Sequence, residues 1–241
     1  MLNTLYDITP FTLLDYPGEM ACIVWLAGCN MRCVYCHNPD IVKGKGKLEE
    51  KKLFDFLKAR KGKLTAVVFS GGEPTLSPAL PELIGKVKAM GFKIKLDTNG
   101  TRPDALKKLL AEGFLDYVAL DYKSPPERLK DITGSAKYAK DFQKGLGLLV
   151  KAAQQGLKLE VRTTYHADLM TEDELGQIIH DLEKRGFKGT YYIQDIASHG
   201  DKTLGHIAKP VRRLTPEKLP KPKGFKIAFR NFPEEKQARE R

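Results

Sequence analysis

Apolar, β-rich runs recur along the chain, and amphipathic stretches of helical period separate them. Residues 20–26 predict the first strand. Residues 49–60 predict a helix with Leu53, Phe54 and Leu57 on one face. A near-continuous apolar strand follows at 64–69, then a helix at 80–90 carrying Leu83, Ile84 and Val87 as its buried stripe. Strand 92–96 precedes a helix at 103–112 with Pro103 at its start. Strand 117–120 leads to a longer helix, 138–155, ended by Gly156. Strand 158–163 is followed by a helix at 171–185, opened by a Thr171–Glu174 capping box and closed by Gly186. The sixth strand is 190–193.

Six strand–helix alternations call for an α/β fold, a parallel sheet covered by helices. Six units are fewer than the eight of a closed barrel, so an open or partial (β/α)6 barrel is expected. The rhythm breaks after Gly200. Residues 1–200 are expected to form the core domain and 201–241 an extension studded by Pro210, Pro216, Pro220 and Pro222. One further strand is expected at 225–230.

The 241 residues carry a formal net charge of +11. Much of it is local: from Lys209 onward there are eleven basic and four acidic residues. Such a segment reads as a solvated end, or as a surface that docks on an acidic protein or nucleic acid. No apolar run approaches the ~18 residues of a membrane helix, and neither a signal peptide nor a lipidation motif is evident, so a soluble, cytoplasmic protein without membrane partners is expected. Among four cysteines, Cys22 lies inside the first strand and reads as core. Cys29, Cys33 and Cys36 stand together on the loop after it. In a cytoplasmic setting such a group reads as metal-binding before it reads as a disulfide frame.

The loop runs Gly28-Cys29-Asn30-Met31-Arg32-Cys33-Val34-Tyr35-Cys36-His37-Asn38-Pro39, with Cys-x3-Cys-x2-Cys spacing. Thiolates hold iron–sulfur clusters, and a cubane presents four irons to three thiolates, leaving one iron open. A zinc site would want a fourth ligand, and His37 fits the usual spacing poorly.

Cys-x3-Cys-x-aromatic-Cys, here with Tyr35, resembles the signature of the radical S-adenosylmethionine (SAM) superfamily. Leu14-Asp15-Tyr16-Pro17-Gly18, together with Gly28-Cys29 and Cys36-His37-Asn38-Pro39, resembles the glycyl-radical-enzyme activating enzymes. Within these the likeness is to activators of anaerobic ribonucleoside-triphosphate reductase, with pyruvate formate-lyase activating enzyme a close relative. It covers residues 11–165 and fades beyond 194. The resemblance implies one [4Fe–4S] cluster on Cys29, Cys33 and Cys36, with SAM bound at the open iron. It also implies reductive cleavage of SAM to methionine and a 5′-deoxyadenosyl radical, which takes a hydrogen from a glycine of a partner protein. Catalytic side chains beyond the cluster and SAM are not needed, and a flavodoxin or ferredoxin would supply the electron.

Ligands of such sheets sit at the carboxyl ends of strands, and polar motifs follow three successive strands here. Ser70-Gly71-Gly72-Glu73-Pro74 follows the second, Asp97-Thr98-Asn99-Gly100 the third and Asp121-Tyr122-Lys123 the fourth. By resemblance, Gly71, Gly72 and Glu73 hold the SAM amino group, Lys123 approaches its carboxylate or ribose, and Arg162 is a further contact. By the same resemblance Asp97, Thr98 and Asp121 contact SAM and a bound monovalent cation, which suits them because hard cations prefer oxygen ligands. Tyr35 and Asn38 fit the adenine side, and His199 is a looser candidate there. Only about two dozen residues separate Pro39 from the second strand, without further cysteines, so a single cluster is expected. A radical SAM enzyme acting on RNA or a small molecule is the alternative, with nucleic acid possible but not favoured as a partner. A non-enzymatic iron–sulfur or zinc protein would leave Gly71-Gly72-Glu73, Asp97 and Lys123 without a purpose.

Overall fold

In the computed structural model, which describes residues 4–196 and 203–232, strands and helices alternate where the apolar runs place them. The chain divides into two units: Met1–Asn30 with Asn38–Ala119, and Met31–His37 with Leu120–Arg241.

The first unit holds β1 (Leu5–Thr12), β2 (Ala21–Leu26), α1 (Pro39–Lys43), α2 (Glu50–Arg60), β3 (Ala66–Gly71), α3 (Leu80–Ala89), β4 (Lys93–Thr98) and α4 (Pro103–Ala111). Strands β2, β3 and β4 pair in parallel, with Ile23 beside Val68 and Val68 beside Lys95. Their residues are buried on both faces: Val67 and Phe69 on one, Ala66 and Val68 on the other. That is why they read as continuous apolar runs rather than as alternation. Helices α2, α3 and α4 bury Leu53 and Leu57, Leu83, Ile84 and Val87, and Leu106 and Leu109. On one sheet face Tyr16, Ala21, Ile23, Ala66, Val68 and Tyr117 form a cluster, with Trp25 packed against it.

Strand β1 has no counterpart in the sequence reading. It pairs antiparallel with β2 and carries Pro10, a residue that sheets accept at an edge. The Leu14-Asp15-Tyr16-Pro17-Gly18 run forms the connection from β1 to β2. Asp15 accepts from Thr12 Oγ1 at 2.5 Å, and the buried Tyr16 ring meets Tyr117 edge-on at 5.4 Å.

Strand β5 (Tyr117–Asp121) begins in the first unit and ends in the second. The second unit continues with α5 (Leu129–Thr133), α6 (Ala139–Gln154), β6 (Lys158–Tyr165), α7 (Glu172–Lys184), β7 (Thr190–Asp195) and β8 (Lys226–Arg230). Strands β6, β7 and β8 are parallel, so the strand expected at 225–230 joins the sheet beside β7. The capping box at Thr171 is formed, with both reciprocal hydrogen bonds present. The short helices α1 and α5, five residues each, escape periodicity because they complete barely more than one turn. Among the described residues no helix is long and apolar enough to cross a membrane.

Candidate functional site

In the first unit, Gly28 adopts φ +90° at the turn out of β2, a conformation open to glycine at little cost. Its N–H donates to Ile41 O at 2.9 Å, and its carbonyl accepts from Glu73 N at 2.9 Å. The loop that carries Cys29 is therefore seated directly on the Gly71-Gly72-Glu73 loop. The fit leaves no room for side chains there. A Cβ on Gly72 would lie 2.1 Å from Gly28 O and 3.1 Å from the Cys29 Cβ, and one on Gly71, at φ +132°, would lie 2.2 Å from Leu26 O.

Glu73 is 1 % exposed, and its carboxylate is the hub of this unit's loops. One oxygen accepts from Thr75 N at 3.1 Å, from the Thr75 hydroxyl and from Thr98 Oγ1 at 2.8 Å. The other accepts from Asn99 N at 2.6 Å. Burial raises its pKa, against the opposing pull of these donors. The Glu73 side chain thus ties the loop after β3 to the loop after β4. It leaves the Gly71 and Gly72 backbone as the partly open polar edge.

Asn30, Asn99 and Thr101 extend the tie to the cysteine loop. Asn99 Nδ2 donates to Asn30 Oδ1 at 2.9 Å, and Asn30 Nδ2 donates to Thr101 Oγ1 at 2.7 Å. Asn30 and Thr101 were not singled out from the sequence, although a polar residue directly after the first cysteine and a threonine directly after Asn99-Gly100 are visible there; the burial of Thr101 is not. Asp97 and Thr98 occupy successive positions of β4 and so point to opposite faces. Thr98 Oγ1 donates to Glu73 and accepts from Gly100 N at 3.1 Å. Asp97 accepts from Lys95 Nζ at 2.7 Å and from Ser70 Oγ at 3.4 Å. Asn38 is exposed and precedes α1 as its N-cap residue.

The second unit holds the rest of the cysteine motif. The segment is pinned by backbone bonds from Arg32 N to Thr133 O (2.8 Å), Val34 N to Ile132 O (3.0 Å), Gly205 N to Val34 O (2.8 Å) and Leu204 N to Cys36 O (2.9 Å). Cys36 N donates to Cys33 O at 3.0 Å, which folds the two thiols into one turn. Gly205 is required: a Cβ there would lie 2.8 Å from Val34 O. Burial pushes the Cys33 thiol up, and the nearby Lys123 ammonium opposes that shift. Tyr35 is buried beside Lys123, whose Nζ lies 5.8 Å from the ring centroid, and burial raises its phenol.

Asp121, Lys123 and Arg162 gather at adjacent strand ends of this unit. Asp121 accepts from Arg162 Nε at 2.9 Å and from Lys123 Nζ at 3.1 Å. Burial alone would raise the Asp121 pKa, but Arg162 and Lys123 outweigh it and hold the carboxyl at about 2. Burial likewise opposes the charge on Lys123, and Asp121 overturns that, keeping the ammonium charged. The buried Glu160 also lies 3.9 Å from Arg162 and pairs with Arg230 at 3.0 Å, so three cations face two carboxylates, a local excess of positive charge suited to an anionic group.

A depressed carboxyl pKa stabilises the folded state above the ordinary range near 3.8, and the benefit is lost as pH falls toward 2. About a quarter of the Asp121 side chain is exposed, which discounts the gain. Asp121→Asn is therefore expected to cost about 2 kcal/mol at pH 7. The deficit should shrink below about pH 4, as read by urea unfolding of both proteins at matched cluster content across pH.

The three motif cysteines and Cys22 are all free of disulfides. Cys22 is wholly buried and pushed up to about 12 by burial, as befits a core thiol. Soft thiolates are the donors iron–sulfur clusters use, and the glycine-only contact behind Cys29 leaves backbone rather than side chains beside it. The residues fit that group. Among the described residues no three His, Cys, Asp or Glu side chains are drawn together tightly enough to hold one metal ion, so the ligand assignment stands on spacing and thiol chemistry. His199 lies outside the described residues.

Residues 23–182 match the radical SAM superfamily. A Methanocaldococcus jannaschii protein, provisionally named a glycyl-radical enzyme activating enzyme, is 33% identical over 177 residues, 71% of this chain and 72% of its own. The pyruvate formate-lyase-activating enzyme of Clostridium pasteurianum is 32% identical over 171 residues, 67% of this chain and 68% of its own. Among solved structures, Streptococcus suis SuiB bound to S-adenosylmethionine superposes with TM-score 0.61 at 13% identity. The match covers 86% of this chain and half of that one, a likeness of fold.

Proposed function

Because the chain belongs to the radical SAM superfamily, among the glycyl-radical-enzyme activating enzymes, we propose that it installs a glycyl radical on anaerobic ribonucleoside-triphosphate reductase. The observation that carries the reading is the Cys-x3-Cys-x2-Cys loop seated on Gly71-Gly72-Glu73 through the Gly28 carbonyl. The preference for this partner comes from Leu14-Asp15-Tyr16-Pro17-Gly18 and Cys36-His37-Asn38-Pro39.

In this reading Cys29, Cys33 and Cys36 hold the one cluster. A [4Fe–4S] cluster so held supplies the electron for reductive cleavage of SAM. The chain's own residues bind and orient. The Gly71-Gly72 backbone accepts from the SAM ammonium, while Glu73 fixes the loop's shape from behind. Lys123 and Arg162 attract the SAM carboxylate, and Asp121 keeps both cations in place. Tyr35 and Asn38 face the adenine, with His199 assigned to the same side. No side-chain general base is required. The electron comes from a flavodoxin or ferredoxin in the cytoplasm.

A second reading, modification of an RNA, draws on the eleven basic and four acidic residues from Lys209 onward. An anaerobic mixture of the reduced protein, SAM and the reductase separates the two. Electron paramagnetic resonance is expected to show a glycyl doublet only when all three are present. If no doublet forms while SAM is consumed in the presence of RNA, with binding that weakens steeply with salt, the second reading replaces the first.

A further inference from the structure

The side chain of Lys95 is 2 % exposed, in the middle of the sheet face that carries Ile23, Val68 and Tyr117. An ammonium taken that far from water is costly unless it is paired. It is paired with Asp97, two residues along the same strand and therefore on the same face, at 2.7 Å. Its charge also lies 5.1 Å from the Tyr117 ring centroid, a cation–π contact. Tyr16, from the Leu14–Gly18 connection, packs edge-on against that ring.

A monovalent cation at Asp97, Thr98 and Asp121, which resemblance to other activating enzymes implies, does not fit these residues. A hard cation needs several oxygens turned toward one point. In the first unit, Asp97 gives one oxygen to the Lys95 ammonium and the other to Ser70, and the Thr98 hydroxyl points to the opposite face, toward Glu73. In the second unit, Asp121 gives its two oxygens to Arg162 and Lys123. Each carboxylate already carries a positive charge of the protein's own.

We propose that the Lys95 ammonium is a tethered replacement for that cation, supplying the counter-charge of Asp97 so that SAM binding is independent of sodium and potassium. The proposal rests on the reading of Asp97 as a residue lining the SAM site, and its test has an arm that needs no SAM.

Crystals of the full chain and of Lys95→Met are soaked in thallium(I) alone and examined by anomalous scattering. The wild type is expected to show no thallium at Asp97, whereas Lys95→Met, whose Asp97 carboxylate is only 12 % exposed and has lost its ammonium partner, is expected to take it up. In parallel, SAM affinity and cleavage are measured with potassium and sodium replaced by tetramethylammonium, which is too large to enter. The wild type is expected to change less than about twofold, and Lys95→Met to lose about tenfold or more and to recover when potassium is restored. Thallium at Asp97 in the wild type, or a wild-type SAM affinity that collapses in tetramethylammonium, overturns the proposal. So does a Lys95→Met protein that binds SAM equally well without a small cation. If Lys95→Met does not fold, the wild-type arms decide alone. A wild type that binds no SAM in any buffer defeats the proposed function instead, and the thallium arm still decides this inference.

Discussion

Cys33→Ala is expected to lose the iron–sulfur chromophore and all SAM cleavage, with iron falling from about four to under one per chain after anaerobic reconstitution. Cys33 is a buried thiol on a segment clamped at Arg32, Val34 and Cys36 by backbone bonds, so the loop is held in place and does not readily shift to bring a neighbouring donor into its position. Removing one of three thiolates leaves two irons without protein ligands. The loss should be confined to the motif. Cys22→Ala, in the core of β2 and with its thiol pushed up to about 12, should lose some stability yet retain the full iron content. Iron and sulfide assays on both variants check this. Cleavage surviving in Cys33→Ala would mean that the ligand set is wrong.

The second large effect is expected at Glu73. Glu73→Ala removes the acceptor of two buried backbone N–H groups, Thr75 and Asn99, and of the Thr98 hydroxyl. Buried donors left without a partner cost about 1–3 kcal/mol each, so a loss of about 3 kcal/mol or more in folding stability is expected. The loops after β3 and β4 lose their common anchor, and SAM affinity should drop by about tenfold or more while the cysteines still assemble a cluster. Glu73→Gln, which keeps one acceptor oxygen, should fall between. Thermal unfolding, SAM binding and iron content are the three readouts. A Glu73→Ala protein with wild-type stability and SAM affinity would show that the hydrogen-bonded hub has no such role.

The contrast between these two sites shows what the chain discloses in one dimension. The cysteine motif is legible because cluster chemistry fixes both residue type and spacing. The strands are legible because a sheet buried on both faces writes long apolar runs such as Ala66–Phe69. Strand β1 is hidden by Pro10 and by a mixed polar pattern, as expected of an edge. Glu73 is visible as an acid beside two glycines. Its role as acceptor for the loop after β4 depends on a contact across 25 or 26 residues, which no local pattern encodes. Lys95 is harder still: a lysine between Ile94 and Leu96 reads as the solvent face of a strand until its burial and its pairing with Asp97 are seen. Asp121 and Arg162 were each identified alone, but their ion pair depends on the pairing of β5 with β6.

The central claim is that three protein thiolates hold a cubane whose fourth iron is left for SAM. The most direct measurement is electron paramagnetic resonance of the anaerobically reduced protein, recorded before and after SAM is added, on samples assayed for iron and sulfide. The account predicts about four irons and four sulfides per chain and a cluster signal that changes on SAM addition, because SAM becomes a ligand. A signal indifferent to SAM, or a colourless metal centre with every position filled by the chain's own side chains, would contradict it.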